Sequence, residues 1–302
     1  MTPPAPSPPP HPEDAARAKE AALRRLLAAG GRSLLAFSGG VDSSYLAAVA
    51  REVLGDGVAA VLADGPTLPD WERDAAVALA VELGLPLRIL RTGEAADPAF
   101  RANGPERCYH CRQHLFGAMV ELAAAEGWEI LLHGGNADDD AGDRPGLRAA
   151  AEHGIRAPLR EAGLGKAEIR ALARARGLPV WDRPSRPCLA TRVPFGTPLD
   201  EAVLARVAGA ERILHERDFQ DFRVRHHGDL ARLELGAGEW GRLADPDLRA
   251  DIARELAGLG YRMVTLDLSP LASGSLSRLG VLTGDGGLRS VARDAEPPEA
   301  ES

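Results

Sequence analysis

The chain has 302 residues, 45% hydrophobic and 26% charged, and a formal net charge of -8. These proportions belong to a folding globular protein, and no run approaches the roughly eighteen unbroken apolar residues of a membrane helix, so the disordered and membrane-spanning classes are excluded. The acidic balance argues against a broad nucleic-acid surface, which needs a contiguous basic stripe.

Residues 1–12 (MTPPAPSPPPHP) are Pro-rich without an apolar pattern, and residues 285–302 end acidic and Pro-containing; both are expected to be disordered tails. Four short apolar runs lie between them, at 34–37, 58–63, 87–90 and 129–133, each bounded by Gly, Pro, Asp or Ser and separated by longer helix-like segments. Strands alternating with helices predict an α/β fold, a parallel sheet with crossover helices, over residues 13–194. A second, smaller α/β domain is expected over 195–284: a helix at 200–217, the run FRVRHH, a turn, the run LARLEL, a helix near 239–257, and YRMVTLDL. Gly228-Asp229 reads as a two-residue hairpin turn with Gly at its first central position. That turn pairs Arg223 with Glu234, Arg225 with Arg232 and His227 with Leu230 on one face, and leaves Phe222, Val224, Leu233 and Leu235 on the apolar face.

Chemistry first enters at Ser38-Gly39-Gly40-Val41-Asp42-Ser43, directly after a buried strand and before the apolar-periodic segment Tyr45 to Leu54. A helix N-terminus presents free N–H groups and a positive dipole end, and two glycines let phosphate oxygens approach the backbone. Neither a Walker A pattern nor a dinucleotide fingerprint is present. The six residues resemble the pyrophosphate-binding loop of the PP-loop ATPases, a resemblance that implies ATP cleaved between its α and β phosphates. Ser38, Gly39, Gly40 and Ser43 are assigned to the pyrophosphate, and Asp42 to Mg2+, because its charge repels the anion. Gly135, Asn136, Asp138 and Asp139 follow a predicted strand, where open α/β sheets place ligands, and are assigned near the α phosphate or Mg2+. Ala63, ending the second strand, is expected to frame the adenosine. Lys166, one of two lysines, is read as capping or reaching the nucleotide.

Arg223 and Arg225 stand two apart on a strand and project together, offering guanidinium forks to a phosphate monoester. Arg232 facing Arg225 strengthens the reading, since facing like charges are relieved by an anion. The alternative is a solvated Arg223–Glu234 cross-strand pair. Three cysteines, Cys108, Cys111 and Cys188, argue against a disulfide framework. The CxxC of Cys108 and Cys111 is compatible with a redox pair, half a zinc site, or two ligands of an iron-sulfur cluster.

The segments Glu106 to Cys111, His133 to Asp139, Arg144 to Arg148, Lys166 to Arg170, Cys188 to Arg192 and Arg223 to Asp229 resemble, in order and spacing, the LarE family of ATP-dependent sulfur transferases of nickel-pincer nucleotide synthesis. The segment DAGD after Asp139 and the SRP before Cys188 depart from its pattern. The resemblance implies that a carboxylate of a pyridinium dicarboxylate mononucleotide is adenylated and that sulfide or another sulfur donor then displaces AMP. It also implies ATP, Mg2+ and, with three cysteines, a 4Fe-4S cluster held by Cys108, Cys111 and Cys188 with its fourth iron open to sulfide; other members sacrifice the sulfur of one cysteine at the position of Cys188. A cytoplasmic homo-oligomer without nucleic-acid or membrane partners is expected. A tRNA-thiolating PP-loop enzyme and a non-enzymatic adenine-nucleotide sensor are the competing readings.

Overall fold

The computed structural model describes residues 12–139 and 145–271; the tail expected at 285–302, all of the other tail except Pro12, and the segment 140–144 lie outside the described residues. Pro12, expected in the tail, instead opens α1 (Pro12–Ala28). Proline suits a first helical position because the N–H it lacks has no partner there, and Glu13 and Asp14 complement the dipole.

Two compact units divide the chain: one runs to Cys188 and takes in Pro198–Glu201, the other holds Leu189–Thr197 and the residues from Ala202 on. In the first, β1 (Ser33–Ala36), β2 (Val58–Asp64), β3 (Leu87–Arg91) and β4 (Ile130–His133) form a parallel sheet ordered β3-β2-β1-β4. The helices between and after them are α2 (Val41–Leu54), α3 (Asp70–Glu82), α4 (Pro98–Arg101), α5 (Arg107–Glu126), α6 (Pro145–Glu152), α7 (Pro158–Glu161) and α8 (Lys166–Ala175). Alternating side chains feed two cores. Leu35, Ala60 and Leu62 pack with α1, α2 and α8, while Leu34, Ala59 and Val61 pack with Phe116, Met119 and Ala149 of α5 and α6. Burial on both faces explains why the central strands read as unbroken apolar runs.

This topology positions the site. The chain steps from β1 to β2 and β3 on one side, then returns to place β4 on the other side of β1. The direction reverses between β1 and β4, so the connections leaving their carboxyl ends part and open a crevice. Residues 38–43 and 134–139 are those two connections.

In the second unit β5 (Phe222–His227) and β6 (Leu230–Leu235) pair antiparallel in the register that the turn predicts, with Gly228 at φ 64°, and β7 (Met263–Leu266) adds parallel to β6. Phe222, Val224, Leu233 and Leu235 pack against Ala210, Ile213 and Leu214 of α9 (Glu201–His215) and Ile252 and Leu256 of α10 (Pro246–Gly258). The single helix expected near 239–257 is interrupted: a 3-10 segment, Ala237–Ala244, ends at Asp245, whose side chain accepts hydrogen bonds from the Asp247 and Leu248 N–H groups. Asp-Pro starts a new helix there because proline donates no bond backward while aspartate caps forward. No described helix is long and apolar enough to cross a membrane.

Candidate functional site

The loop between β1 and α2 leads into the N-terminus of α2, whose first-turn N–H groups have no partner within the helix. Gly40 is the N-cap of α2 and provides no side-chain cap. Ser38 and Ser43 close the loop across its base: their hydroxyls stand 3.1 Å apart, the Ser43 Oγ accepts from the Ser38 N–H at 3.2 Å, and it donates to the Gly40 carbonyl at 3.1 Å. Gly39 has φ 69°, and a Cβ there would come 2.9 Å from that of Ala76, so glycine is required on two counts. Gly40 differs: its backbone is extended, and a Cβ would meet only the Ser38 Oγ at 3.4 Å.

The second connection presses onto this turn. A Cβ on Gly134 would fall 2.9 Å from the Ser43 nitrogen, so the loop after β4 packs backbone against backbone at the start of α2. Asn136, buried, then links the loops: its Nδ2 donates to Asp42 Oδ2 at 3.1 Å, its Oδ1 accepts from the Asp138 N–H at 2.9 Å, and its own N–H donates to Asp139 Oδ2 at 3.0 Å. Lys166, the first residue of α8, donates from Nζ to the same Asp42 oxygen at 2.6 Å and from its backbone N–H to Asp138. Lys166 is thus part of the Asp42 site, a placement its rarity hinted at but no spacing located. The other Asp42 oxygen, Oδ1, is buried with no hydrogen-bond partner among the described residues. A buried carboxylate oxygen left open beside a phosphate cradle suits Mg2+, which takes one or two protein carboxylates and otherwise phosphate and water. Ala63 lies half-buried near the end of β2, paired with Leu90.

His133, ending β4, accepts the Gly135 N–H at Nδ1 at 3.1 Å. Burial, reinforced by Arg112, pushes its pKa down from 6.5 to about 4. The unfolded chain therefore takes up the proton first as pH falls, and stability declines between pH 6.5 and about 4. At about 1.4 kcal/mol per pH unit, this one group accounts for about 3 kcal/mol of acid sensitivity. Urea unfolding of His133→Gln should show a shallower loss than wild type over that window; parallel curves would refute the assignment.

Cys108 and Cys111 occupy the first turns of α5, one turn apart and on one side of the helix. Neither they nor Cys188 form a disulfide. The Cys111 thiol is pushed up to about 12 by burial, and the neighbouring Cys188, the Glu94 carboxylate and Cys108 push the same way while Arg112 opposes. Among the described residues no three His, Cys, Asp or Glu side chains are spaced for a single metal ion.

In the second unit Arg223 and Arg225 are both buried, at 7% and 2% exposure, so the solvated face considered above does not exist. Nor does an outside anion separate Arg225 from Arg232. Glu234 does so itself, accepting from Arg225 at 2.7 Å and from Arg232 at 3.2 Å, and Arg232 also reaches Asp267 at 2.9 Å. Arg225 further donates to the Thr191 carbonyl at 2.6 Å. Buried Arg192 is held by both oxygens of Glu211, at 2.7 and 3.1 Å, and Glu211 also accepts the Val224 N–H at 3.0 Å. Arg223 alone of the three has no hydrogen bond or ion pair for its guanidinium among the described residues. Burial, with Arg192 and Arg225 close by, disfavours its charge. Glu234 and Asp221 partly offset these effects, but neither is hydrogen-bonded to the Arg223 guanidinium.

Over 247 residues the chain is 36% identical to the pyridinium-3,5-bisthiocarboxylic acid mononucleotide synthase of Lactiplantibacillus plantarum, covering 82% of this chain and 89% of that protein. The chain belongs to the LarE family. An uncharacterized protein of Synechocystis is 37% identical over 257 residues, 85% of this chain and 96% of its own length. The glutamine-hydrolyzing GMP synthase of Aeropyrum pernix is 30% identical over 204 residues, 61% of this chain but 39% of the synthase. No family model matches the chain.

Proposed function

We propose that this LarE-family chain is an ATP-dependent sulfur transferase that converts carboxylates of a pyridinium-3,5-dicarboxylate mononucleotide into thiocarboxylates in nickel-pincer nucleotide synthesis. The observation that carries the reading beyond the family is the loop at the N-terminus of α2 with the orphaned Asp42 oxygen beside it. A carboxylate is a poor acyl donor until its oxygen is bonded to a good leaving group. A substrate carboxylate oxygen attacks the α phosphorus of ATP, the α–β bridge breaks, and pyrophosphate leaves into the Ser38–Ser43 loop, whose N–H groups stabilise its charge. Sulfur then attacks the acyl carbon and AMP departs with the carboxylate oxygen. Asp42 holds Mg2+ against the phosphates, Asn136 and Lys166 fix the Asp42 rotamer, and Ala63 borders the adenosine. Gly135, Asn136 and Asp139 form the wall of the cradle. Arg223 receives the substrate's phosphate monoester, with Arg225 locked beside it by Glu234.

Cys108, Cys111 and Cys188 would hold a 4Fe-4S cluster, which when bound supplies an iron open to inorganic sulfide. Three cysteines free of disulfides, two of them one turn apart on α5, support that reading. The exposed Met263 and Leu268, on and just beyond the edge strand β7, support a homo-oligomer, and the charge of -8 argues against a broad nucleic-acid surface.

Anaerobic reconstitution with iron and sulfide, followed by iron counting and a sulfide-dependent turnover assay, tests the cysteine assignment. Multiple turnovers lost in each single Cys→Ala variant are expected. One turnover per chain, with Cys188 converted to dehydroalanine and full activity in the Cys108 and Cys111 variants, would overturn it in favour of a sacrificial cysteine.

A further inference from the structure

His133 is 5% exposed and ends β4 at the carboxyl edge of the parallel sheet, where ligands of open α/β sheets collect. Its ring is seated over Gly135: a Cβ there would fall 2.5 Å from Cε1 and 2.9 Å from Nδ1, so the missing side chain leaves the ring its place. The Gly135 N–H donates to Nδ1 at 3.1 Å, which fixes the tautomer. In the neutral imidazole the proton is then on Nε2, and Nε2 makes no hydrogen bond among the described residues. Burial, and after it the neighbouring Arg112, keeps the ring neutral down to about pH 4. A donor buried in a fixed orientation without an acceptor is a group that a ligand completes.

Strand alternation gives the side of the sheet on which that donor lies. Leu132 belongs to the core under α2, whereas Leu131 and His133 face α5, and the His133 ring stands 6.3 Å from that of Phe116. The Ser38–Ser43 loop leads into α2, on the opposite face. Displacement at the α phosphorus runs in line, with the attacking oxygen entering opposite the leaving pyrophosphate. A pyrophosphate held at the α2 end therefore puts the attacking carboxylate toward α5, where His133 stands.

We propose that His133 is a catalytic residue whose Nε2–H donates to the substrate carboxyl oxygen that stays on carbon, the one that does not attack phosphorus. The proposal rests on the adenylation reading above. In the first step the other oxygen bonds to the α phosphorus, the α–β bridge breaks and pyrophosphate leaves, while the Nε2–H holds the carboxylate in line. In the second, sulfur adds to the acyl carbon and the retained oxygen takes up the negative charge. The same donor stabilises that charge until the bond to AMP breaks and the C=O reforms. His133 moves no proton in either step. A neutral donor suits both, because an imidazolium would hold the carboxylate as an ion pair and blunt its attack.

Two variants separate this role from that of a ring that only clamps the loop. His133→Asn keeps an oxygen near the Nδ1 position for the Gly135 N–H and loses the distal donor. His133→Gln carries its amide to the Nε2 position and loses the near acceptor. The assay is single-turnover AMP formation from ATP and the pyridinium dicarboxylate mononucleotide, with hydroxylamine as the acyl acceptor so that no sulfur donor is needed. His133→Asn should lose about 10²–10³-fold in kcat/KM for the mononucleotide, with the KM for ATP and the melting temperature unchanged. His133→Gln should lose less activity and more thermal stability. The reverse order of activities, or a His133→Asn variant as active as wild type, would overturn the proposal in favour of the clamp while leaving the adenylation reading intact. A change confined to the KM for ATP would overturn it by assigning the donor to the nucleotide. A wild-type chain that releases no pyrophosphate would overturn both.

Discussion

Asp42→Asn is expected to cut ATP-dependent pyrophosphate release by about 10²–10³-fold, the usual loss when one preorganised electrostatic group of a polar transition state is removed. The single amide oxygen can accept from Asn136 or face Mg2+ but not both, and either way the Lys166 ammonium loses its counter-charge. Gly40→Val should be as damaging for a different reason. The fold tolerates a side chain there, since a Cβ meets only the Ser38 Oγ, so the branched group fills the space of the departing phosphate. Measured by pyrophosphate release with circular dichroism as the fold control, normal adenylation in either variant would refute the ATP-site assignment. Gly39 is the wrong position for this test: its positive φ and the contact with Ala76 make any replacement a change of fold as well as of function.

Arg223→Ala is expected to weaken binding of the phosphorylated substrate by about 2–5 kcal/mol, the range for losing one partner of a desolvated charge pair. Its effect on the folding of the free protein should be small or favourable, because a desolvated guanidinium that makes no hydrogen bond is removed. Arg225→Ala should behave differently. It strips a buried ion-pair partner from Glu234 and a donor from the Thr191 carbonyl, so stability falls by about 3–5 kcal/mol along with affinity. Isothermal titration paired with denaturant unfolding separates the two. Substrate affinity in Arg223→Ala within about 1 kcal/mol of wild type, the ceiling for a solvated pair, would refute the phosphate assignment.

The two variants also mark how far the sequence could be read. On a strand of alternating pattern, Arg223 and Arg225 are indistinguishable: same residue type, same face, two residues apart. Cross-strand register correctly set Arg225 opposite Arg232, but the step from facing charges to an outside anion failed, because Glu234 reaches diagonally across to Arg225 and along its own strand to Arg232. A diagonal contact depends on rotamers, which register does not specify. Likewise the helix expected near 239–257 was read from apolar periodicity alone, whereas Asp245-Pro246 terminates one element and caps the next.

The sequence by itself determined the parallel sheet, through apolar runs too short for helices, and the hairpin, through the backbone demand of one Gly-Asp turn. It also located the Ser38–Ser43 loop, because both the strand before it and the helix after it are local in the chain. Only the tertiary structure decided what is distant in sequence. It brought Lys166 onto Asp42, 124 residues away, and pressed Gly134 onto the start of α2. It also left Arg223 unpaired while its neighbours found carboxylates. Local order follows from short-range sterics and hydrogen bonding that each segment carries with it. Charge compensation and burial arise only when separate segments pack, since the partner that satisfies or orphans a buried group is chosen by the fold.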